Sequence, residues 1–338
     1  MLAANNSKMS SLPGQIINLL RCPHCRHNLR LDVEYQCSGC GAKFPISNGV
    51  ARFVAAENYS ASFGFQWKRY ARTQLDNTEI RESEEHFRMK TGLAPEDLKG
   101  KLVLDVGCGM GRFAEVATRW GASVVGVDLS AAAEVAARNL QDRNFIAFQA
   151  DVFHLPFELE SFDCIYSLGV LHHTPNCEAA VKVLPQFLKP GGNLAVWLYS
   201  GYNKWYRFTD LYRRYTSRMP APLLHGILQV AVPTFYYLDR GLRRIPLIGR
   251  PIAGTVHYVF PVNRQADPEA RVLDTFDWYS PRYQSKHTYE QVFRWFESCG
   301  MQDLHVAETP ISVRGKKSAV SPLPSERLNQ RSALSPAQ

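Results

Sequence analysis

The chain has 338 residues, 45% hydrophobic and 12% aromatic, enough for one main domain with additions. No run reaches the roughly 18 uninterrupted apolar residues of a membrane-spanning helix, and the opening MLAANNSKMSSLPGQ lacks the apolar core of a secretory signal, so a cytoplasmic protein is expected. The net charge of +8 is unevenly placed: from Ser200 to Arg250 nine cations (Lys204, Arg207, Arg213, Arg214, Arg218, Arg240, Arg243, Arg244, Arg250) face only Asp210 and Asp239, which suits a solvated face, an acidic substrate, a membrane surface or RNA.

Residues 1–57 read as a small zinc-ribbon domain. Cys22-x-x-Cys25 and Cys37-x-x-Cys40, eleven residues apart, are two knuckles that together supply four thiolates to one tetrahedral zinc. With all four positions filled, no water site remains and the metal is structural; His24 and His27 are then surface residues. Cys108, Cys164, Cys177 and Cys299 lie scattered in periodic segments and are expected to be reduced and mostly buried.

Residues 58–100 form an aromatic, charged helical connector or cap. Its Phe63, Phe65, Trp67 and Tyr70 are packing residues or the cover of a ligand pocket. From Lys101 strand and helix alternate: KLVLDV, a glycine loop and a helix; SVVGVD and a helix; FIAFQAD; FDCIYSLGVL; a helix, a KPGG turn and NLAVWLY. Apolar strands joined by amphipathic helices specify an α/β fold, a doubly wound, mainly parallel sheet that binds ligands beyond the carboxyl ends of its strands. Residues 101–199 and 270–315 are assigned to this core. The LHVAE and ISVRG strands of the second part are an expected antiparallel pair. Between them, 200–269 is a helical insertion of two or three helices broken by Pro220, Pro222 and Pro233, placed as a lid. The Ser/Pro-rich 316–338 is read as a disordered tail.

The loop after the first strand is Asp105-x-Gly107-x-Gly109-x-Gly111. A dinucleotide fingerprint places its third glycine three residues after the second, and a leading carboxylate would repel a pyrophosphate while suiting an ammonium group. Asp128 is placed to accept the hydroxyls of a ribose, and Asp151 to accept from an adenine amino group. An ammonium, a diol and an adenine without phosphate describe S-adenosylmethionine. Cys108, inside the turn, is expected to pack rather than to react.

The segments VLDVGCGMGRFA, VVGVDLS, QADVFHLPFELESFDCIYSLGVLHH and LKPGGNLAVW resemble the class I S-adenosylmethionine-dependent methyltransferases, in particular the branch similar to ubiquinone and menaquinone methyltransferases. The resemblance is dense over about residues 100 to 200 and looser over 275 to 315. It implies a seven-stranded Rossmann-like sheet. It also implies that Asp105, Gly107 and Gly109 meet the methionine end, Asp128 the ribose and Asp151 the adenine, with the backbone at Ser167, Leu168 and Gly169 beside the sulfonium. Gly111, Leu129 and Val152 are counted with these cofactor residues. The N-terminal unit resembles the zinc ribbons of small methyltransferase activator proteins, fused here in cis.

Methyl transfer needs alignment of a nucleophile, exclusion of water and, for a protonated nucleophile of high pKa, a base. His172 and His173 after the fourth strand, and Asp277, Tyr279, Tyr283 and His287 in DTFDWYSPRYQSKHTY, are the candidates. The expected acceptor is a small molecule, lipid-linked and glycosylated ones included, under the insertion, whose basic surface also suits a peripheral membrane contact. RNA or protein methylation is the alternative, although SLGVLHH is not the Asn/Asp-Pro-Pro-aromatic sequence of exocyclic-amine methylation. A non-catalytic scaffold is the third reading.

Overall fold

The computed structural model describes residues 12–55, 58–76, 81–202 and 207–319. A first helix, α1 (Leu12–Leu19), leads into a three-stranded antiparallel sheet, β1 (Leu29–Leu31), β2 (Tyr35–Cys37) and β3 (Lys43–Phe44), then a short hairpin of β4 (Ile46–Ser47) and β5 (Val50–Arg52). Helices α2 (Ala61–Arg69), α3 (Glu82–Thr91) and α4 (Pro95–Leu98) follow. The alternating part comprises β6 (Leu102–Val106), α5 (Arg112–Arg119), β7 (Ser123–Asp128), α6 (Ala132–Asn139), β8 (Phe145–Gln149), β9 (Phe162–Leu168), α7 (Cys177–Val183) and β10 (Leu188–Trp197). Next come α8 (Arg207–Thr216), α9 (Ala221–Leu242), α10 (Gly249–Val259), α11 (Pro268–Tyr279) and α12 (Tyr289–Ser298), and the chain closes the sheet with β11 (Met301–Val306) and β12 (Ser312–Lys317).

The main sheet has the order β11-β12-β10-β9-β6-β7-β8-β5-β4. Strands β6 to β10 pair in parallel, as their continuous apolar runs require, and β12 runs antiparallel to both β10 and β11. Seven of these strands are the expected ones. Two more come from the N-terminal unit: β5 adds in parallel to β8, and β4 folds back on β5.

That addition changes the expected separation of the first 57 residues. Ile16, Leu20, Cys22, Tyr35, Phe44 and Phe53 are buried in one core with Phe148, Phe157 and Phe162 of the sheet domain. Arg21 N–H donates to the Pro156 carbonyl at 2.9 Å and Glu158 N–H to the Leu19 carbonyl at 2.7 Å. On the other side, Glu134 of α6 accepts from Asn48 at 2.7 Å and pairs with Arg52.

The helical layer also runs past its expected limit at 269. Helix α11 packs on α8 and α9, with Leu224, Leu228, Val232, Val262, Phe276 and Tyr279 in a second core. Pro233, expected to break the insertion, sits inside the 22-residue α9. It cannot donate to the Gln229 carbonyl, but Gln229 is exposed, so water can satisfy that acceptor. Residues 316 and 317 belong to β12; the rest of the expected tail, from 320, lies outside the described residues.

Candidate active site

Strands β6, β7 and β9 deliver the glycine loop, Asp128 and the Ser167–Gly169 turn to the same sheet edge, because parallel strands all end there. Gly107, Gly109 and Gly111 have φ of 81°, 52° and 94°, the left-handed region that glycine adopts without steric cost. A Cβ on Gly107 would lie 2.3 Å from Val170 Cγ1, and one on Gly109 would lie 3.2 Å from Trp67 Nε1. Gly111 is packed under Leu140 and serves as the N-cap of α5, which makes it a structural position of the loop.

Asp105 is 3% exposed and accepts one hydrogen bond, from Tyr166 Oη–H at 3.1 Å. Burial pushes its carboxyl up to about 8, helped by the neighbouring Asp128 charge and opposed by the Tyr166 bond. A buried carboxyl with no cation among the described residues is a fitting partner for an ammonium group. Asp128 accepts from Gly109 N–H at 3.0 Å and from Ser130 N–H and Oγ–H at 2.8 and 2.7 Å; burial raises its pKa against those bonds. The carboxylate thereby fixes the glycine loop. Asp151 caps a 3-10 turn, Val152–His154, accepting from Phe153 N–H at 3.0 Å, while the Leu129 carbonyl accepts from the Asn58 and Gln149 side chains, each at 3.0 Å. Ser167 Oγ–H donates to the Val106 carbonyl at 2.8 Å, tying β9 to β6 beside Leu168. Cys108 is buried and its thiol is pushed well up by desolvation, so it is a packing residue.

Helix α2 and the residues before it cover this edge. Tyr59, Phe63 and Trp67, four residues apart, reach Tyr283 (ring centroids 5.3 Å), His173 (5.2 Å) and Gly109 respectively. Phe65 and Tyr70 face the opposite way: Phe65 lies against His225 and Phe276, and Tyr70 Oη is 2.8 Å from His225 Nε2. Of the four aromatics singled out in this stretch, two therefore cover the cleft and two pack the helical layer. Tyr59 was missed, although its spacing from Phe63 and Trp67 carries the signal.

The two histidines are buried. His172 stacks on Tyr199 at 3.9 Å, and neither of its ring nitrogens has a hydrogen-bond partner. His173 bonds through Nδ1 to the Tyr283 carbonyl at 3.0 Å, leaving Nε2 buried and without a partner. Desolvation lowers both pKa values, most strongly for His172, so both rings are neutral near pH 7. Tyr199 donates to Asp277 at 2.9 Å. His287 lies behind the pair: its Nε2 is 2.7 Å from Ser285 Oγ, and Ser285 N–H donates to the His172 carbonyl at 2.8 Å. Tyr279, expected at the substrate, is instead buried against Tyr212 and donates to the Pro261 carbonyl at 3.0 Å.

A charged group that the sequence did not single out flanks this cleft. Lys90 Nζ sits 3.7 Å above the Trp197 ring, where burial and the nearby Arg112 charge hold it down to about 7. Asp274 faces it from α11, its carboxyl pushed up to about 7 by burial. At the N-terminal unit, the four cysteine sulfurs lie within 4.8 Å of one another, with Cys22–Cys40 at 3.7 Å and Cys25–Cys37 at 3.3 Å. Tetrahedral zinc–thiolate bonds imply sulfurs about 3.8 Å apart. Gly39 and Cys40 N–H both donate to Cys37 Sγ, as a thiolate knuckle needs, while His27 bonds the Cys25 carbonyl and His24 lies edge-on to Phe44.

Residues 104–196 match the methyltransferase domain family. Over 176 residues, 50% of this chain, the protein is 30% identical to a ubiquinone biosynthesis O-methyltransferase from Alkalilimnicola ehrlichii, covering 68% of it, and 31% identical to one from Coxiella burnetii, covering 72%. It is 29% identical to a sterol 24-C-methyltransferase from Schizosaccharomyces pombe over 145 residues, 41% of this chain and 37% of that one. Among solved structures, an S-adenosylmethionine-dependent methyltransferase from Mesorhizobium loti is 31% identical over 34% of this chain and 52% of that chain, with a TM-score of 0.30. The glycine loop, the sheet order and the two ubiquinone biosynthesis O-methyltransferases agree: the chain belongs to the class I S-adenosylmethionine-dependent methyltransferases.

Proposed function

We propose that the protein methylates an oxygen, nitrogen or carbon nucleophile of a small, lipid-like or glycosylated acceptor by direct in-line displacement. The observation that carries this reading is the buried His173 Nε2, without a partner, at the sheet edge that also holds the glycine loop, Asp105 and Asp128. S-adenosylmethionine, when bound, supplies a methyl carbon already activated on a sulfonium sulfur. Asp105 holds its ammonium, with the amides of Gly107 and Gly109 at the methionine end. Asp128 and Leu129 hold the ribose, Asp151 and Val152 the adenine, and Ser167 and Leu168 flank the sulfonium.

His173 accepts the acceptor's proton at Nε2, because its Nδ1 is committed to the Tyr283 carbonyl and the ring is neutral. Asp277 acts through Tyr199 and His287 through Ser285; both are positioning residues. Phe63 and Trp67 exclude water from above.

The four cysteines hold a structural zinc, supported by the sulfur spacing and by the absence of a ligand position left for water. A peripheral membrane contact is supported by Leu223, Ile227, Val230, Tyr237 and Leu238, which line the exposed side of α9, and by Leu247 and Ile248 in the turn between α9 and α10. Among the described residues, no helix is long and apolar enough to cross a membrane. The test of the whole reading is incubation of metabolite pools with methyl-labelled S-adenosylmethionine, followed by mass spectrometry. A labelled small molecule supports it; cofactor binding with no labelled product from any pool favours a scaffold, and no cofactor binding by calorimetry sinks it.

A further inference from the structure

Beside the histidines, a cavity of about 920 Å³ opens between α8 and the segment after α11. Arg213, Arg214, Arg218 and Arg282 line it, together with Tyr215, Tyr283 and a single carboxylate, Asp210. Asp210 is already engaged, by Arg213 at 3.3 Å and by Lys286. Among the described residues, no carboxylate lies within 4.0 Å of Arg214, Arg218 or Arg282.

The ordinary explanation for cations at the end of α8 is the negative pole of that helix. It covers Arg213 and Arg214, yet Arg282 arrives from a separate segment and closes on the same space. Two residues of its wall, Arg213 and Tyr283, also border the histidines. Arg213 is buried in its wall and donates to the Pro281 carbonyl, and its charge is felt at His172, His173, Tyr199 and Asp277. Tyr283, on the same wall, orients His173 through its carbonyl. Planar guanidinium groups converging on one space fit the oxygens of a phosphate ester, which they bind in bidentate pairs.

We propose that this cavity binds a phosphate or diphosphate group of the methyl acceptor, placing the rest of that molecule at His173. The assignment rests on the methyltransferase reading above and narrows its acceptor to a phosphorylated one, whether a soluble ester or a lipid-linked one. The test uses the full chain with inorganic pyrophosphate in calorimetry, comparing the wild type with R214Q/R218Q/R282Q and with K189Q as a distant control. Binding is expected in the wild type and in K189Q and to be weakened by about 100-fold in the triple variant, since each lost charge-assisted contact costs at least several-fold. S-adenosylmethionine affinity is expected to stay within about twofold in all three, because no arginine of the cavity belongs to the cofactor site.

Co-sedimentation with phosphatidylglycerol vesicles that pyrophosphate reverses supports a lipid-linked phosphate; pyrophosphate binding without sedimentation supports a soluble one. Absence of pyrophosphate binding, binding unchanged in the triple variant, or salt-sensitive binding of polyuridylate that needs the same arginines and outcompetes pyrophosphate overturns the proposal. Loss of cofactor binding in the wild type, by contrast, would refute the methyltransferase reading and leave the anion site standing.

Discussion

At the scale of single residues, burial shifts two acid–base groups in opposite directions. Asp105 has its pKa raised to about 8, so below pH 8 the carboxyl is mostly neutral and must lose a proton before it can pair with an ammonium. Cofactor affinity is therefore expected to rise with pH up to about 8 and to fall again as the ammonium itself deprotonates, with proton release on binding below that point. Asp105→Asn removes both effects and weakens binding by about 10- to 100-fold, since a hydrogen bond to a charged group contributes roughly 1.5–3 kcal/mol. Calorimetry in buffers of different ionisation enthalpy reads both; a pH-independent affinity in the wild type would contradict the assignment. For His173 the shift is downward, so the base stays neutral at pH 7 and activity falls only on the acid side of the ordinary value of 6.5. His173→Gln should lower kcat by about 10²- to 10⁴-fold with cofactor affinity unchanged. Kinetics with the labelled acceptor decide it, and a variant that keeps its acid limb would move the base elsewhere.

At the scale of elements, the glycine loop and α2 work as a clamp. Gly107→Ala combines a φ of 81° with a Cβ 2.3 Å from Val170. The left-handed conformation alone costs roughly 1–2 kcal/mol, and the overlap adds to it, so the loop must move and cofactor binding is expected to be lost. Trp67→Ala, which only uncovers the loop, should speed cofactor release while leaving thermal stability nearly constant; stopped-flow displacement distinguishes the two. The glycine spacing was legible because a turn uses consecutive residues. The role of α2 was not: a stripe of aromatics at helical spacing looks the same whether it meets a core or a cleft, and only packing turned Phe63 and Trp67 to the loop and Phe65 and Tyr70 to His225.

At the scale of the whole molecule, the cysteine unit is joined to the cofactor edge. It bonds the Leu155–Glu158 segment, which begins three residues beyond Val152, through Arg21 N–H to Pro156, Arg26 to the Leu155 carbonyl at 2.8 Å, and Glu158 N–H to Leu19. Cys37→Ser is expected to release zinc, lower the melting temperature by several degrees and weaken cofactor binding through the adenine side, because metal binding is folding free energy here. Metal analysis, thermal melting and calorimetry on one sample check it. Zinc loss with unchanged cofactor affinity would show that the unit is mechanically separate from the site.

What the sequence determined by itself are the features written in contiguous residues. These are the parallel α/β core, the cofactor that Asp105, Asp128 and the glycine spacing fit, and the two Cys-x-x-Cys knuckles. Each depends on local conformation and on chemistry a few positions apart. The tertiary structure decided the rest. It fused the N-terminal hairpin to the β8 edge and carried α9 through Pro233. It also buried Tyr279, set Lys90 over Trp197, and brought Arg282 to the arginines of α8 across some seventy residues. Those outcomes follow from which apolar faces find each other in a close-packed interior, and pairings between distant segments leave no mark in local spacing.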